Sequence, residues 1–351
     1  VVIACRLARL AGIAGEALEA VFWTSALRFV GCTGFAPEEA VFSAGDDISL
    51  RSAMVYADFD RPLELMKTLA RRVAPEASAA RRATGIARFA LDRDAPRRYA
   101  RAHCESAQFF ARTLEMPAEV AVALDVTGER WDGKGLHGRG GDELPLAARV
   151  ADVADVLELF WWAGGEAHAR EVLGQRRGRT LDPALVDAAV GVMTELVAGL
   201  DEGSAWDAYI AAEVAPCAPT PAQIDGGCVA LGQFADLTSR YTAAHSRRVA
   251  RLAEAAGQSA GLSSNECATL RRAGSVHDLG RVAVTTGTWD KAGPLNAIEW
   301  QRVRAHSHHT DVVLRGAGLE ALADIAGATH ERGQGTGYPK GVAIDRAPFL
   351  S

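Results

Sequence analysis

The chain repeats its own landmarks, which restricts it to architectures in which one module occurs twice. Arg-Ala-His stands at residues 101–103 and again at 304–306, and Glu-Arg-x-x-Gly-x-Gly stands at 129–135 and again at 331–337. His103 and Glu129 are 26 residues apart; His306 and Glu331 are 25 apart. The run from Arg6 to Ala11 likewise echoes the run from Arg248 to Ala253. Two tandem copies of one unit are expected. Apolar residues recur at steps of three and four, and strand alternation never persists, so the fold class is all-α. The expected division is a first module at 1–200, a connector at 201–225 and a second module at 226–351. Pro216, Pro219 and Pro221 make the connector's end unsuitable for a helix, and Gly226-Gly227 is expected to open the second copy. The first copy carries about forty extra residues around Asp46 to Phe59, expected as an insertion.

The chemistry gathers in the second copy. Six of the nine histidines lie between positions 245 and 330. His277 ends an apolar run in which Leu270, Ala273 and Gly274 share one helix face, and Asp278 follows it. His330 follows Leu319, Leu322, Ala323 and Ala326; His306 shares a face with Val303, Thr310, Val313 and Leu314; His245 precedes Val249, Leu252 and Ala256. A lone histidine on an apolar face is usually a core residue satisfied by one hydrogen bond. Four from separate helices, with a carboxylate among them, instead form the ligand set of a borderline divalent metal. His308 and His309 have polar neighbours and are expected at the surface or behind the site.

His245, then His277-Asp278-Leu279-Gly280-Arg281, then His306, then Thr329-His330-Glu331-Arg332 and Gly337-Tyr338-Pro339-Lys340-Gly341 resemble the HD-GYP branch of the HD phosphohydrolases over roughly residues 230 to 345. The resemblance implies two tandem HD-type helical modules. It also implies a site holding divalent metal ions, iron, manganese or zinc and two in number, that hydrolyses cyclic di-GMP or a related cyclic dinucleotide. His245, His277, Asp278, His306 and His330 fall on its metal positions, with Asp278 as the bridge. Arg281 falls where the family usually has a phosphate-contacting lysine. Gly337, Tyr338 and Pro339 imply a turn near the substrate. Glu331 either supports the site or faces water. The chain also departs from the family: Thr329 replaces one of two consecutive histidines, and Gln334 replaces an aspartate. A further carboxylate helix after Gly-Tyr-Pro is expected beyond Ser351, so the second module is read as truncated.

The first copy lacks these ligands. The region of Gly31-Cys32-Thr33 is expected opposite His-Asp, Gly128 opposite His330, and Gly135-Leu136-His137 opposite Gly-Tyr-Pro. Only His103, Asp152 and Asp155 resemble a site, so this copy is read as degenerate.

Composition bounds the alternatives. A net charge of -6 and a pI near 5.9 give no basic footprint for nucleic acid, and no apolar run is long enough for a membrane span. Six cysteines without a Cys-x-x-Cys suggest reduced thiols in a cytoplasm. The competing reading is a weakly catalytic or non-catalytic signalling module, part of a longer bacterial regulator; a homodimer is left open.

Overall fold

The computed structural model describes residues 1–58, 60–92, 94–216 and 218–343; Phe59, Cys217 and Ser351 lie outside them. Among these residues there are helices and two isolated bridges but no strand, as the all-α expectation requires. In chain order the helices are α1 (Val2–Leu10), α2 (Gly15–Leu27), α3 (Ala36–Phe42), α4 (Asp47–Val55), α5 (Pro62–Arg72), α6 (Ala79–Leu91), α7 (Ala95–Thr113), α8 (Ala118–Leu124) and α9 (Leu146–Arg176). They continue as α10 (Pro183–Gly191), α11 (Met193–Val197), α12 (Ala205–Ala212), α13 (Pro221–Asp236), α14 (His245–Ser259), α15 (Ser264–Val276), α16 (Thr286–Trp289), α17 (Ala297–Gly316) and α18 (Glu320–Ala326). Tight 3₁₀ segments at Val30–Phe35 and Leu279–Ala283 follow α2 and α15. No helix among the described residues is long and apolar enough to cross a membrane.

Packing divides the chain into two compact units, one of residues 1–31 and 96–219, the other of 32–95 and 220–351. The extra segment of the first copy is therefore wider than expected, and its helices α3 to α6 pack with the second copy. The connector also differs from expectation. It contains α12, and α13 begins at Pro221 and runs straight through Gly226-Gly227. Thr220 and Gln223 form a reciprocal capping box, with Pro221 at the first helical position, so the helix starts ahead of the expected glycine pair.

In the first unit Leu7, Phe22, Leu124, Val150, Leu157, Leu173 and Leu196 are fully buried. In the second, Cys228, Ala273, Val276, Leu279, Leu314, Leu322, Ala323 and Ala326 form one apolar cluster, with Ile224, Leu231 and Phe234 of α13 packed against it. The inward face of α14 is not the expected one. Leu252 is 70% exposed, whereas Ser246, Ala250 and Gly257 are buried. A Cβ on Gly274 would sit 2.9 Å from the Ala250 Cα, so α14 and α15 approach through small residues.

Candidate metal centre

Each histidine is held by a local device. Asn296 and Glu299 cap α17 reciprocally, as Ser263 and Glu266 cap α15. His277 is the C-cap of α15 and His306 lies mid-α17; both are buried. His245 opens α14, and the buried Asp236 carboxylate accepts from the Ser246 N–H at 3.1 Å and its hydroxyl at 2.8 Å, satisfying that helix's first turn. No motif marks Asp236 in the sequence; the one available signal is a carboxylate closing the apolar helix α13 just after Phe234. His330 lies in the turn after α18 rather than on a helix.

Two further contacts bolt the His-Asp segment to α17. The Thr310 hydroxyl accepts from the Gly280 N–H at 2.9 Å and donates to the His277 carbonyl at 3.1 Å. Gly280 rests on the His306 carbonyl, where a Cβ would come within 2.0 Å of the oxygen.

Asp278 is the centre. Its Oδ1 lies 3.5 Å from His277 Nε2 and 3.4 Å from His306 Nε2; its Oδ2 lies 3.6 Å from His245 Nε2 and 3.1 Å from Arg281 Nη1. Two groups of three share this carboxylate: His245, His277 and Asp278, and Asp278, His306 and His330, with ligand atoms in each group within 4.8 Å of one another. The structure therefore brings together all five residues that the resemblance marks as metal positions.

The proton arrangement asks for a cation. His277 Nδ1 lies 3.0 Å from the Gly274 carbonyl and His306 Nδ1 bonds the Val303 carbonyl. A carbonyl only accepts, so each Nδ1 carries the hydrogen and each Nε2 faces the carboxylate. Burial pushes the His277 imidazole below the usual range, favouring its neutral form. Burial alone would favour a protonated Asp278, but the His306 ring, His277 and the Arg281 guanidinium outweigh it and hold the carboxyl well below the usual range. In the neutral His277 ring the Nε2 lone pair then faces a carboxylate oxygen, a repulsive arrangement unless a positive charge sits between them. The buried His330 Nε2 has no hydrogen-bond partner among the described residues. The donor set of imidazoles and one carboxylate suits a borderline divalent metal.

The Gly-Tyr-Pro loop is anchored to this centre. The Tyr338 ring stacks on His330 at 4.8 Å between centroids and its N–H donates to the His330 carbonyl at 3.1 Å. Glu331, for which two readings were open, accepts from the N–H groups of Lys340, Gly341 and Val342 at 2.7–3.1 Å, so it ties down the far end of the loop. Glu129 does the same in the first unit, accepting from the His137 and Arg139 N–H groups at 2.7 and 3.2 Å.

The first unit corrects the alignment of the copies. Gly31 rests on the His103 carbonyl, with a Cβ 2.1 Å from the oxygen, as Gly280 rests on that of His306. Arg28-Phe29, not Gly31-Cys32-Thr33, therefore stand opposite His277-Asp278. Arg28 Nη2 lies 2.7 Å from Asp152 Oδ1 and 3.8 Å from Asp155 Oδ2, while the buried His103 Nε2 lies 2.6 Å from the Arg28 carbonyl. A guanidinium thus pairs with the two aspartates, and the described residues of this unit include no candidate metal group.

The HD domain family matches residues 231–351. Over 343 residues the chain is 29% identical to the 3'3'-cGAMP-specific phosphodiesterase 3 of Vibrio cholerae serotype O1, covering 95% of this chain and 74% of that protein. It is 29% identical over 111 residues to a cyclic di-GMP phosphodiesterase response regulator of Xanthomonas campestris, covering 31% of this chain and 29% of the relative. A crystal structure of a cyclic GMP-AMP specific phosphodiesterase from V. cholerae superposes with a TM-score of 0.63 at 22% identity, covering 93% of this chain and 80% of that one, which shows a shared fold.

Proposed function

Because the chain belongs to the HD-GYP branch of the HD superfamily, we propose that its second half is the active part of a metal-dependent phosphodiesterase that opens a 3'3'-linked cyclic dinucleotide. One observation carries the reading: a buried carboxylate faced by imidazole nitrogens on both of its oxygens, beside a His330 Nε2 with no hydrogen-bond partner among the described residues. His245, His277 and Asp278 would hold one divalent cation and Asp278, His306 and His330 a second. Bound there, such ions supply Lewis-acid activation of water and offset charge on the phosphoryl oxygens.

The chain's own groups do the rest. Arg281, fixed by Asp278, presents a guanidinium whose buried Nε has no acceptor among the described residues, suited to a phosphoryl oxygen. Tyr338 offers a ring edge and Arg304 a cation beside it, with the guanidinium 5.9 Å from the ring centroid, where a nucleobase could lie. The Thr329 hydroxyl donates to the Ala326 carbonyl at 3.0 Å, so the position that is a second histidine in the family is turned to the backbone and would not contribute a ligand to a bound cation. Iron, manganese and zinc all suit the donor set. A cytoplasmic location follows from the substrate class. The first unit, with Arg28 standing against its aspartates, is read as a non-catalytic, regulatory module.

The test is product chromatography after incubating the chain, separately reconstituted with Fe²⁺, Mn²⁺ or Zn²⁺, with 3'3'-cGAMP and with cyclic di-GMP. Cleavage of at least one by the wild type and by no Asp278→Ala preparation is expected. No cleavage with any metal, or equal cleavage by Asp278→Ala, overturns the proposal.

A further inference from the structure

Arg281 is gripped by a neighbouring aromatic ring. Its guanidinium carbon lies 3.9 Å from the centroid of the Trp289 ring, and the indole Nε1–H donates to the Arg281 carbonyl at 3.2 Å. The same ring meets His306 edge-on at 5.5 Å. Trp289 therefore touches both the phosphate-facing cation and one imidazole of the centre. Stacking of this kind fixes the plane of a guanidinium and lowers its freedom to follow solvent.

Trp289 sits at the end of α16, a helix of four residues. A helix this short does not hold itself, because its nucleation cost is not offset by propagation. Its first-turn N–H groups are satisfied by the extra segment of the chain: Asp47 Oδ1 accepts from the Thr286 N–H at 2.7 Å and the Gly45 carbonyl accepts from the Gly287 N–H at 3.0 Å. Asp47 and Thr286 are each only 1% exposed. Arg51 pairs with Asp47 and donates to the Cys32 carbonyl at 3.1 Å, so the carboxylate is itself held. The approach at Gly45 and Gly287 is so close that a Cβ on Gly287 would lie 2.4 Å from the Gly45 Cα. At the other end Asp290 accepts from the Ser239 hydroxyl.

We propose that Trp289 is a positioning residue for Arg281, and that Asp47, far upstream of the matched HD domain that begins at residue 231, is the strut that sets Trp289 by holding α16. The extra segment 32–95 would then be a working part of the phosphodiesterase, aligning its phosphate-binding cation. This rests on the reading of the site given above.

The experiment is a double-mutant cycle. Trp289→Ala and Asp47→Ala are each measured in the wild-type background and in Arg281→Ala, reading metal content, kcat and KM for 3'3'-cGAMP, and equilibrium binding of 3'3'-cGAMP to the metal-free protein by calorimetry. A misplaced catalytic group costs on the order of 10- to 100-fold. Each single variant is expected to lose about that much in kcat/KM while keeping its metal, and to lose little further once Arg281 is gone. Trp289→Phe, which keeps a ring over the guanidinium, is expected to recover part of the loss, and Asp47→Asn, which keeps an acceptor for the Thr286 N–H, covers the case in which Asp47→Ala does not fold. Additive losses in the Arg281→Ala background, or a Trp289→Ala enzyme as active as wild type, overturn the proposal. A protein that binds 3'3'-cGAMP but cleaves neither it nor cyclic di-GMP refutes the phosphodiesterase reading, and the binding cycle then decides this one. A protein that neither binds nor cleaves either dinucleotide refutes both.

Discussion

Gly280→Ala tests whether the His-Asp segment and α17 form one unit with the metal centre. The residue's backbone is not left-handed, so alanine meets no dihedral penalty, and in isolation the exchange would favour ordered structure by up to about 1 kcal/mol. Its Cβ, however, would lie 2.0 Å from the His306 carbonyl oxygen, 2.7 Å from the Thr310 nitrogen and 2.8 Å from the His309 Cβ. Two of these are backbone atoms inside a 20-residue helix, which cannot yield as a side-chain tip does. Overpacking of a buried contact typically costs about 1–3 kcal/mol and occasionally more, so a net loss of about 2 kcal/mol is expected. For a unit of this size that lowers the melting temperature by roughly 4–8 °C. The same displacement parts His277 from His306, so bound metal should fall with it. Gly31→Ala repeats the clash against the His103 carbonyl and should destabilise the first unit while leaving metal content unchanged. Calorimetric melting and plasma mass spectrometry of the purified variants read both quantities. A Gly280→Ala protein that melts at or above the wild-type temperature with its metal intact would refute the packing argument.

Other consequences are simpler to state. His277→Ala and Asp278→Ala should each remove most bound metal, and Cys32→Ala and His137→Ala should not; equal loss from both pairs, by plasma mass spectrometry, would contradict the site assignment. Arg28→Ala should destabilise the first unit by about 1–3 kcal/mol in chemical denaturation, because Asp152 and Asp155 lose the cation that pairs with them; an unchanged midpoint would count against that pairing. Burial pushes the Glu39 carboxyl up to about 8, with Arg51 opposing and Asp47 and Glu38 adding to it. The folded chain therefore binds that proton more tightly than the unfolded chain, and stability should fall as pH rises from about 5 through 8. In Glu39→Gln that alkaline slope should flatten, and an identical slope in denaturant titrations would exclude Glu39 as its source.

Whatever repeats at helical spacing is legible in the sequence. The helices and the inward His277 and His306 follow from local pattern, and the resemblance names the five residues of the candidate centre, but His330 lies in the turn after α18 and not on a helix face. Contacts set by the backbone are not legible. The pairing of Arg28 with His277 emerges only because Gly31 and Gly280 touch equivalent carbonyls, whereas spacing alone favours the nearby Gly31-Cys32-Thr33. Leu252 has the right period for a core residue but points outward, because α14 packs through alanine and glycine. The docking of residues 32–95 with the second copy depends on Asp47 meeting Thr286 of α16, 239 residues away in the chain, a separation that no periodicity reports. Trp289 escapes notice for the same reason: one aromatic in a four-residue helix has no repeating neighbours.

The most direct test of the central claim is anomalous X-ray scattering from crystals of the chain grown with Mn²⁺. Two peaks are predicted, one among His245, His277 and Asp278 and one among Asp278, His306 and His330, with the Asp278 carboxylate between them and none beside Arg28, Asp152 and Asp155. Absence of density at both groups, or a peak in the first unit instead, would contradict it.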